Sequence, residues 1–295
     1  MRASPKASSR PVVRSRRVSP TEQRNPRSLR LDKFSVAAGV TLMLTEETRV
    51  ARILLRHRRP IAHAVQAVAR AFRRRGRLFY VGAGTSGRLG VLDASECPPT
   101  FRTAPGMVQG IIAGGDVALR HAVEGAEDDP AAGAREMVAS KVGRRDVVVG
   151  IAASGTTPFV WSALARAKRR GATTILLCFN PFLDIPRALR PGIVIAPNLG
   201  PEILTGSTRL KAGTATKLVL NLLTTLALAR LGKVSSNLMV DLNPTNLKLR
   251  DRAMRMVREL TGSSYAEARA ALQICDWRIK KAVGRLSRRS QVPQV

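Results

Sequence analysis

Two short stretches set hydroxyls and glycines directly after an apolar run. Thr85-Ser86-Gly87 follows Gly82-Ala83-Gly84, and Ser154-Gly155-Thr156-Thr157 follows residues 146–152. Glycine permits positive φ and lets a ligand approach bare backbone. Where such a turn opens a helix, unpaired N–H groups, hydroxyls and the positive end of the dipole point the same way, which suits a phosphate. A lone Ser or Thr there is ordinarily an N-cap. Two such loops at one end of a sheet are more specific, because together they could grip one small phosphorylated ligand. Gly82-x-Gly84-x-x-Gly87 also fits the dinucleotide fingerprint. That site wants an acid about 20 residues on, whereas the first acid after a strand-like run is Asp116, about ten residues late. Spacing therefore puts phosphate-monoester binding ahead of dinucleotide binding and leaves both open.

Carboxylates supply the second kind of chemistry. Glu96 is expected just past the end of a helix over 87–94, before Cys97-Pro98-Pro99. The stretch thus offers an anion cradle and a carboxylate a short distance apart. Glu124, Glu127 and Asp128 stand at i, i+3 and i+4, so on a helix they would share a face. That face is either solvated or turned inward. If inward, mutual repulsion and burial would raise one pKa towards neutrality, as a general base needs.

The elements that must position these groups alternate. Strand-like runs at 78–81, 107–113, 146–152, 173–178 and 192–196 are separated by helical stretches. The fold class is α/β: a parallel sheet covered by helices on both faces, with ligands at the carboxyl ends of its strands. Helices are expected at 34–44, 46–58 and 60–74, and a long one closes the domain near residue 231. The apolar run 218–231 is interrupted by Asn221, Thr224, Thr225 and Arg230 and reads as a buried helix, not a membrane span. The divisions are a basic extension over 1–20, expected to be disordered and dispensable, and a helical N-terminal arm over 21–60. A sugar-phosphate-binding domain over 61–245 and a helical region over 246–295 follow. The last unit buries little, so it is expected to dock on the main body or a partner subunit.

Composition narrows the partners. Fifty Lys and Arg against 20 Asp and Glu give a net charge of +30. The arginines are spread along the chain and aromatics are only 4%, which argues against specific nucleic-acid binding. Three cysteines and three histidines are scattered without metal-ligand spacing, which fits a reducing cytoplasm. No apolar segment of a secretory signal opens the chain.

The run from Thr85 through Ser86-Gly87-Arg88-Leu89-Gly90 to Ser95-Glu96-Cys97-Pro98-Pro99-Thr100-Phe101 resembles the signature of N-acetylmuramic acid 6-phosphate etherases. These belong to the sugar isomerase (SIS) domain superfamily and are related to the glucokinase regulatory protein. The resemblance continues in Val123-Glu124-Gly125-Ala126-Glu127, in Gly200-Pro201-Glu202, and in Thr205-Gly206-Ser207-Thr208-Arg209-Leu210-Lys211. It implies an SIS-type sheet with a ubiquitin-associated-like helical unit at the C-terminus. It implies a cytoplasmic homodimeric lyase of cell-wall recycling that takes a phosphosugar substrate and needs no metal or organic cofactor. By motif position Glu127 would be the base and Glu96 the acid. Thr85, Ser86, Gly87, Ser154, Gly155, Thr156, Thr157, Ser207, Thr208, Arg209 and Lys211 would bind substrate. Two positions depart from the pattern: Thr156 stands where the family usually has arginine, and Arg102 where glycine is common. The alternatives are a non-catalytic sugar-phosphate-sensing regulator of the same fold and an aldose–ketose isomerase; the presence of both glutamates favours the lyase.

Overall fold

The computed structural model describes residues 13–289, so residues 1–12 of the expected extension lie outside the described residues. Residues 13–20 lie against the body: Val13 is buried, and Arg14–Ser15 (β1) pairs antiparallel with Leu183–Asp184. One helix, Val36–Arg56 (α1), replaces the two expected at 34–44 and 46–58. Thr45 at the expected break donates its hydroxyl to the Thr41 carbonyl (2.7 Å), and the helix runs unbroken through it. Arg58–Arg73 (α2) follows, as the periodicity of Ile61, Val65, Val68 and Phe72 predicts.

The central sheet is built from Leu78–Gly82 (β2), Val108–Ile112 (β3), Val147–Ile151 (β4), Thr173–Leu177 (β5) and Ile193–Ile195 (β7), Leu183–Asp184 being β6. Strand order is β3-β2-β4-β5-β7 and every pair in it is parallel. Gly82 is in register with Ile112 and with Ile151, and Ile151 with Leu177. The strands therefore end flush, and the loops that follow them leave one edge together.

Side chains alternate between two cores, as they must in a sheet covered on both faces. Leu78 and Tyr80 pack with Val68, Phe72, Val219 and Leu223, whereas Phe79 and Val81 pack with Met137, Phe159 and Leu164. The first face is covered by α2, by Gly84–Phe101 (α3) and by Lys211–Ala229 (α7). The second carries Pro130–Ala139 (α5) and Pro158–Arg169 (α6), a short helix Val117–Arg120 (α4) lying before them. By length and composition α7 could cross a membrane. Its Val219, Leu220, Leu223, Ala227 and Leu228 are instead buried in the first core.

Three helices end the described chain: Leu247–Thr261 (α8), Tyr265–Ile274 (α9) and Ile279–Arg289 (α10). They enclose a separate small core around Val257, Ala268, Leu272 and Ile279. This unit is tied to the end of α3. Asn243 N donates to Pro99 O (2.9 Å), and the Arg102 guanidinium donates to Leu242 O (3.0 Å) and Trp277 O (3.1 Å).

Candidate functional site

The first loop is as tight as its glycines suggest. A Cβ on Gly82 would lie 2.7 Å from Gly87 N, and one on Gly87 would lie 2.6 Å from Ile112 Cγ1. Only glycine fits either place. The helix expected over 87–94 is longer at both ends, running from Gly84 to Phe101. Thr85 and Ser86 thus occupy its first turn, no side chain caps it, and its leading N–H groups are free for an anion. Glu96 lies inside α3, not beyond it. Pro98 and Pro99 remove two N–H donors, yet the helix reaches Arg102, whose N donates to Pro98 O (2.9 Å) and whose φ of 48° closes the turn.

The second loop leaves the neighbouring strand β4. Gly155 sits at φ 82°, and the Ser154 and Thr156 hydroxyls are 3.1 Å apart. Asn180 Nδ2 donates to Ser154 O (3.1 Å) and Trp161 Nε1 to Gly155 O (2.7 Å), so the loop is held from both sides. Thr157 then opens α6. In the sequence, the Asn180-Pro181 turn after β5 is the only signal of Asn180.

A third segment, 199–210, reaches the same edge. Gly213 in the first turn of α7 is close to both Thr208 O and Thr85 Cγ2, each 3.6 Å from where its Cβ would stand. Thr208 and the first loop therefore converge. Glu202 is buried and holds the start of α7, its carboxylate accepting from Lys211 N (3.0 Å) and Ala212 N (2.9 Å). Burial pushes its pKa up, against the pull of those two N–H groups. Lys211 is 3% exposed, and its ammonium donates to Glu46 Oε2 (2.7 Å), Pro201 O (2.7 Å) and Leu199 O (3.2 Å). In the single chain this lysine ties α1 to α7, while Ser207, Thr208 and Arg209 remain at or near the surface. Burial works to raise the Glu46 pKa, but Lys211, Arg27 and Arg49 outweigh it and hold it below the ordinary range. An isolated Glu-Glu pair in a basic helix was the trace of Glu46 in the sequence.

The acidic segment does not form the expected helical face. Gly125 takes φ 71° and only Ala126–Asp128 makes a short 3₁₀ turn, so Glu124, Glu127 and Asp128 share no α-helical stripe. All three are exposed in the single chain, not turned inward. Asp129 is otherwise engaged. It caps α5 by accepting from Ala132 N (2.9 Å), and that N–H with neighbouring Ala131 and Arg135 holds its pKa down. The turn carrying Glu127 packs on α6, which starts at the second loop. Arg88 of α3 donates to Leu119 O and His121 O (both 3.2 Å) and so anchors the segment to the first loop.

Glu96 stands apart from the hydroxyls of its own chain. Ten residues separate it from Ser86 along α3, which is about 15 Å at 1.5 Å per residue. Helical rotation over ten residues also turns the two side chains to different sides. Glu96 shares an exposed face with Leu92, 43% exposed, one turn earlier. Behind it Asp93 is buried, accepting from Tyr80 Oη (2.9 Å) and Thr224 Oγ1 (3.4 Å), which seats α3 between β2 and α7. Burial raises the Asp93 pKa despite these donors.

Known proteins share this arrangement. A family model for the N-terminal SIS domain of glucokinase regulatory protein matches residues 60–168. An N-acetylmuramic acid 6-phosphate etherase of Gloeobacter violaceus is 54% identical over 263 residues, 89% of this chain and 85% of its own length. One from Yersinia pestis is 52% identical, covering 89% of this chain and 88% of its own. Among solved structures, a Bacteroides fragilis protein assigned as a phosphosugar isomerase involved in capsule formation aligns with a TM-score of 0.51. It is 17% identical and covers 69% of this chain and 95% of that one, a likeness of fold alone. Identity above 50% over nearly nine-tenths of the chain, on an SIS sheet whose hydroxyl loops share one edge, places this chain in the N-acetylmuramic acid 6-phosphate etherase family.

Proposed function

We propose that the protein cleaves the D-lactyl ether of N-acetylmuramic acid 6-phosphate, giving N-acetylglucosamine 6-phosphate and D-lactate. It is an enzyme, a carbon–oxygen lyase. The observation that carries the reading is the convergence of two hydroxyl loops at one sheet edge, in a chain that keeps both glutamates and is 54% identical to an etherase. The uncapped first turn of α3, with the Thr85 and Ser86 hydroxyls, takes the 6-phosphate. Ser154-Gly155-Thr156-Thr157 and Ser207-Thr208-Arg209 close around the sugar.

Glu127 removes the proton at C2 of the open-chain sugar. The electron pair forms the C2–C3 double bond, and the C3–oxygen bond breaks as Glu96 protonates the departing lactate oxygen. Water then adds: its oxygen goes to C3 as Glu96 takes its proton back, and a proton returns to C2 from Glu127. Both carboxyls end in their starting states.

The acting species in this reading is a homodimer. Exposed apolar side chains run along α1 (Val36, Val40, Leu44) and α7 (Leu218, Leu222, Leu226), and a groove of about 1120 Å³ lies between α2 and α7. Such a surface fits burial against a second copy. With Glu96 about 15 Å along the helix from its own phosphate cradle, it serves the cradle of the partner. A reducing cytoplasm suits the three free cysteines, of which buried Cys97 and Cys178 have their thiols pushed up to about 12. The match to a regulatory protein's domain favours the sensor as the second reading. Purified protein incubated with N-acetylmuramic acid 6-phosphate separates them: release of D-lactate is the expected result, and binding without release would leave the sensor.

A further inference from the structure

The opposite edge of the sheet carries groups that the lyase reaction does not use. β2, β4 and β5 begin there, at Leu78, Val147 and Thr173. That is one five-residue strand, about 16 Å, from the hydroxyl loops. A cavity of about 640 Å³ opens at this edge, lined by Arg75, Arg77, Lys141, Arg144, Arg145 and Asp146. Asp146 is already satisfied: its carboxylate accepts from the Arg77 guanidinium (2.8 Å), Arg77 N (2.9 Å) and Gly143 N (2.9 Å). Arg77 is thereby neutralised. Arg75, Lys141, Arg144 and Arg145 form no ion pair among the described residues.

Cations often gather at helix C-termini because the dipole favours them. The backbone here argues for more than that. Arg75 has φ 56° and Lys141 φ 51°, left-handed conformations in which glycine or asparagine is the unstrained choice. Two cations therefore stand on strained backbone at the rim of the same cavity. The lining holds no aromatic or aliphatic side chain, so it has nothing to stack a base or bury a lipid chain.

We propose that this cavity binds a small oligophosphate, a compact multiply charged anion of a few phosphate units, through Arg75, Lys141, Arg144 and Arg145. Four unneutralised cations from two chain segments, 75 and 141–145, match several negative charges held close together, and guanidinium groups can take phosphate oxygens two at a time. The site is separate from the hydroxyl loops, so the inference stands or falls independently of the lyase reading.

The strained positions give a test that separates binding from folding. In the Arg75→Gly, Lys141→Gly variant the new residue suits the backbone at both sites, so the thermal midpoint should not fall. Tripolyphosphate is titrated calorimetrically into the full-length protein at low salt, with N-acetylglucosamine 6-phosphate saturating the hydroxyl loops. The wild-type protein should bind one tripolyphosphate per chain. The variant should lose roughly tenfold in affinity per cation removed, with lactate release unchanged. If the glycine variant proved unstable, Arg144→Gln with Arg145→Gln, on exposed side chains, should show the same loss. Equal affinity in wild type and a folded variant would overturn the proposal. So would binding of a short DNA duplex, abolished by these substitutions, without tripolyphosphate binding; the face would then be a nucleic-acid surface.

Discussion

If Glu96 acts across a dimer, two inactive variants should repair each other. Ser86 and Glu96 are ten residues apart on one straight stretch of α3, about 15 Å of rise. A general acid must come within about 2.6–3.2 Å of the atom it protonates. A glutamate side chain, turned about 80° away around the helix, does not reach across that rise to its own chain's cradle. Glu127, by contrast, belongs to the segment that Arg88 anchors beside the first loop of the same chain. Glu96→Gln and Glu127→Gln should each lower lactate release by about 10²–10⁴. In a mixed dimer, one site receives both glutamines and the other receives neither. Random pairing of equal amounts puts about half the chains in mixed dimers, each with one intact site of two, so about a quarter of wild-type activity should return. The assay is D-lactate release after the two variants, carrying different tags, are co-expressed or unfolded and refolded together. Activity equal to the mean of the separate variants would refute the crossed arrangement and place Glu96 in its own chain's site.

Five further outcomes follow from the geometry. Ser86→Ala or Ser154→Ala should raise KM with the fold intact, since each lost hydrogen bond to a charged group is worth about 1.5–3 kcal/mol; unchanged kinetics in both would move the phosphate elsewhere. Thr156→Arg restores the family's usual side chain next to Ser154, and KM should fall by a similar factor in steady-state kinetics. Lys211→Met takes from Glu46 its one buried cation and leaves it only the more exposed Arg27 and Arg49, which should cost up to about 3–5 kcal/mol in denaturant unfolding. Because Glu46 is held below its ordinary pKa, its contribution is present above the ordinary carboxylate value and lost as pH falls through the folded-state value; the acid-side drop in thermal midpoint should shrink in Glu46→Gln. Arg102→Gly relieves a φ of 48° but removes the donors to Leu242 O and Trp277 O, so amide exchange across 246–289 should quicken while residues 78–82 stay protected.

Local sequence determined the alternation of strands and helices, because apolar runs bounded by glycines have few other uses in a chain of this length. It also determined where the phosphate-type loops lie: Gly82 and Gly87 are needed at separations that only backbone contacts impose, and the hydroxyls follow directly. Motif resemblance named both glutamates. Tertiary structure decided matters that no local pattern encodes. Thr45 reads as a break but bonds within a continuous helix, and Pro98-Pro99 reads as a stop yet lies inside α3, because packing of Asp93 and Cys97 holds the helix through the missing donors. Gly125 turned an apparent helical stripe of acids into an exposed turn, since one positive φ cancels a 3.6-residue period. Lys211, which the resemblance assigns to substrate, is brought by folding to Glu46, 165 positions away in the chain, where burial makes an ion partner obligatory. The charges at 75, 141, 144 and 145 are unremarkable in a chain with 50 cations, and only the fold brings Arg75 to the 141–145 stretch around one cavity.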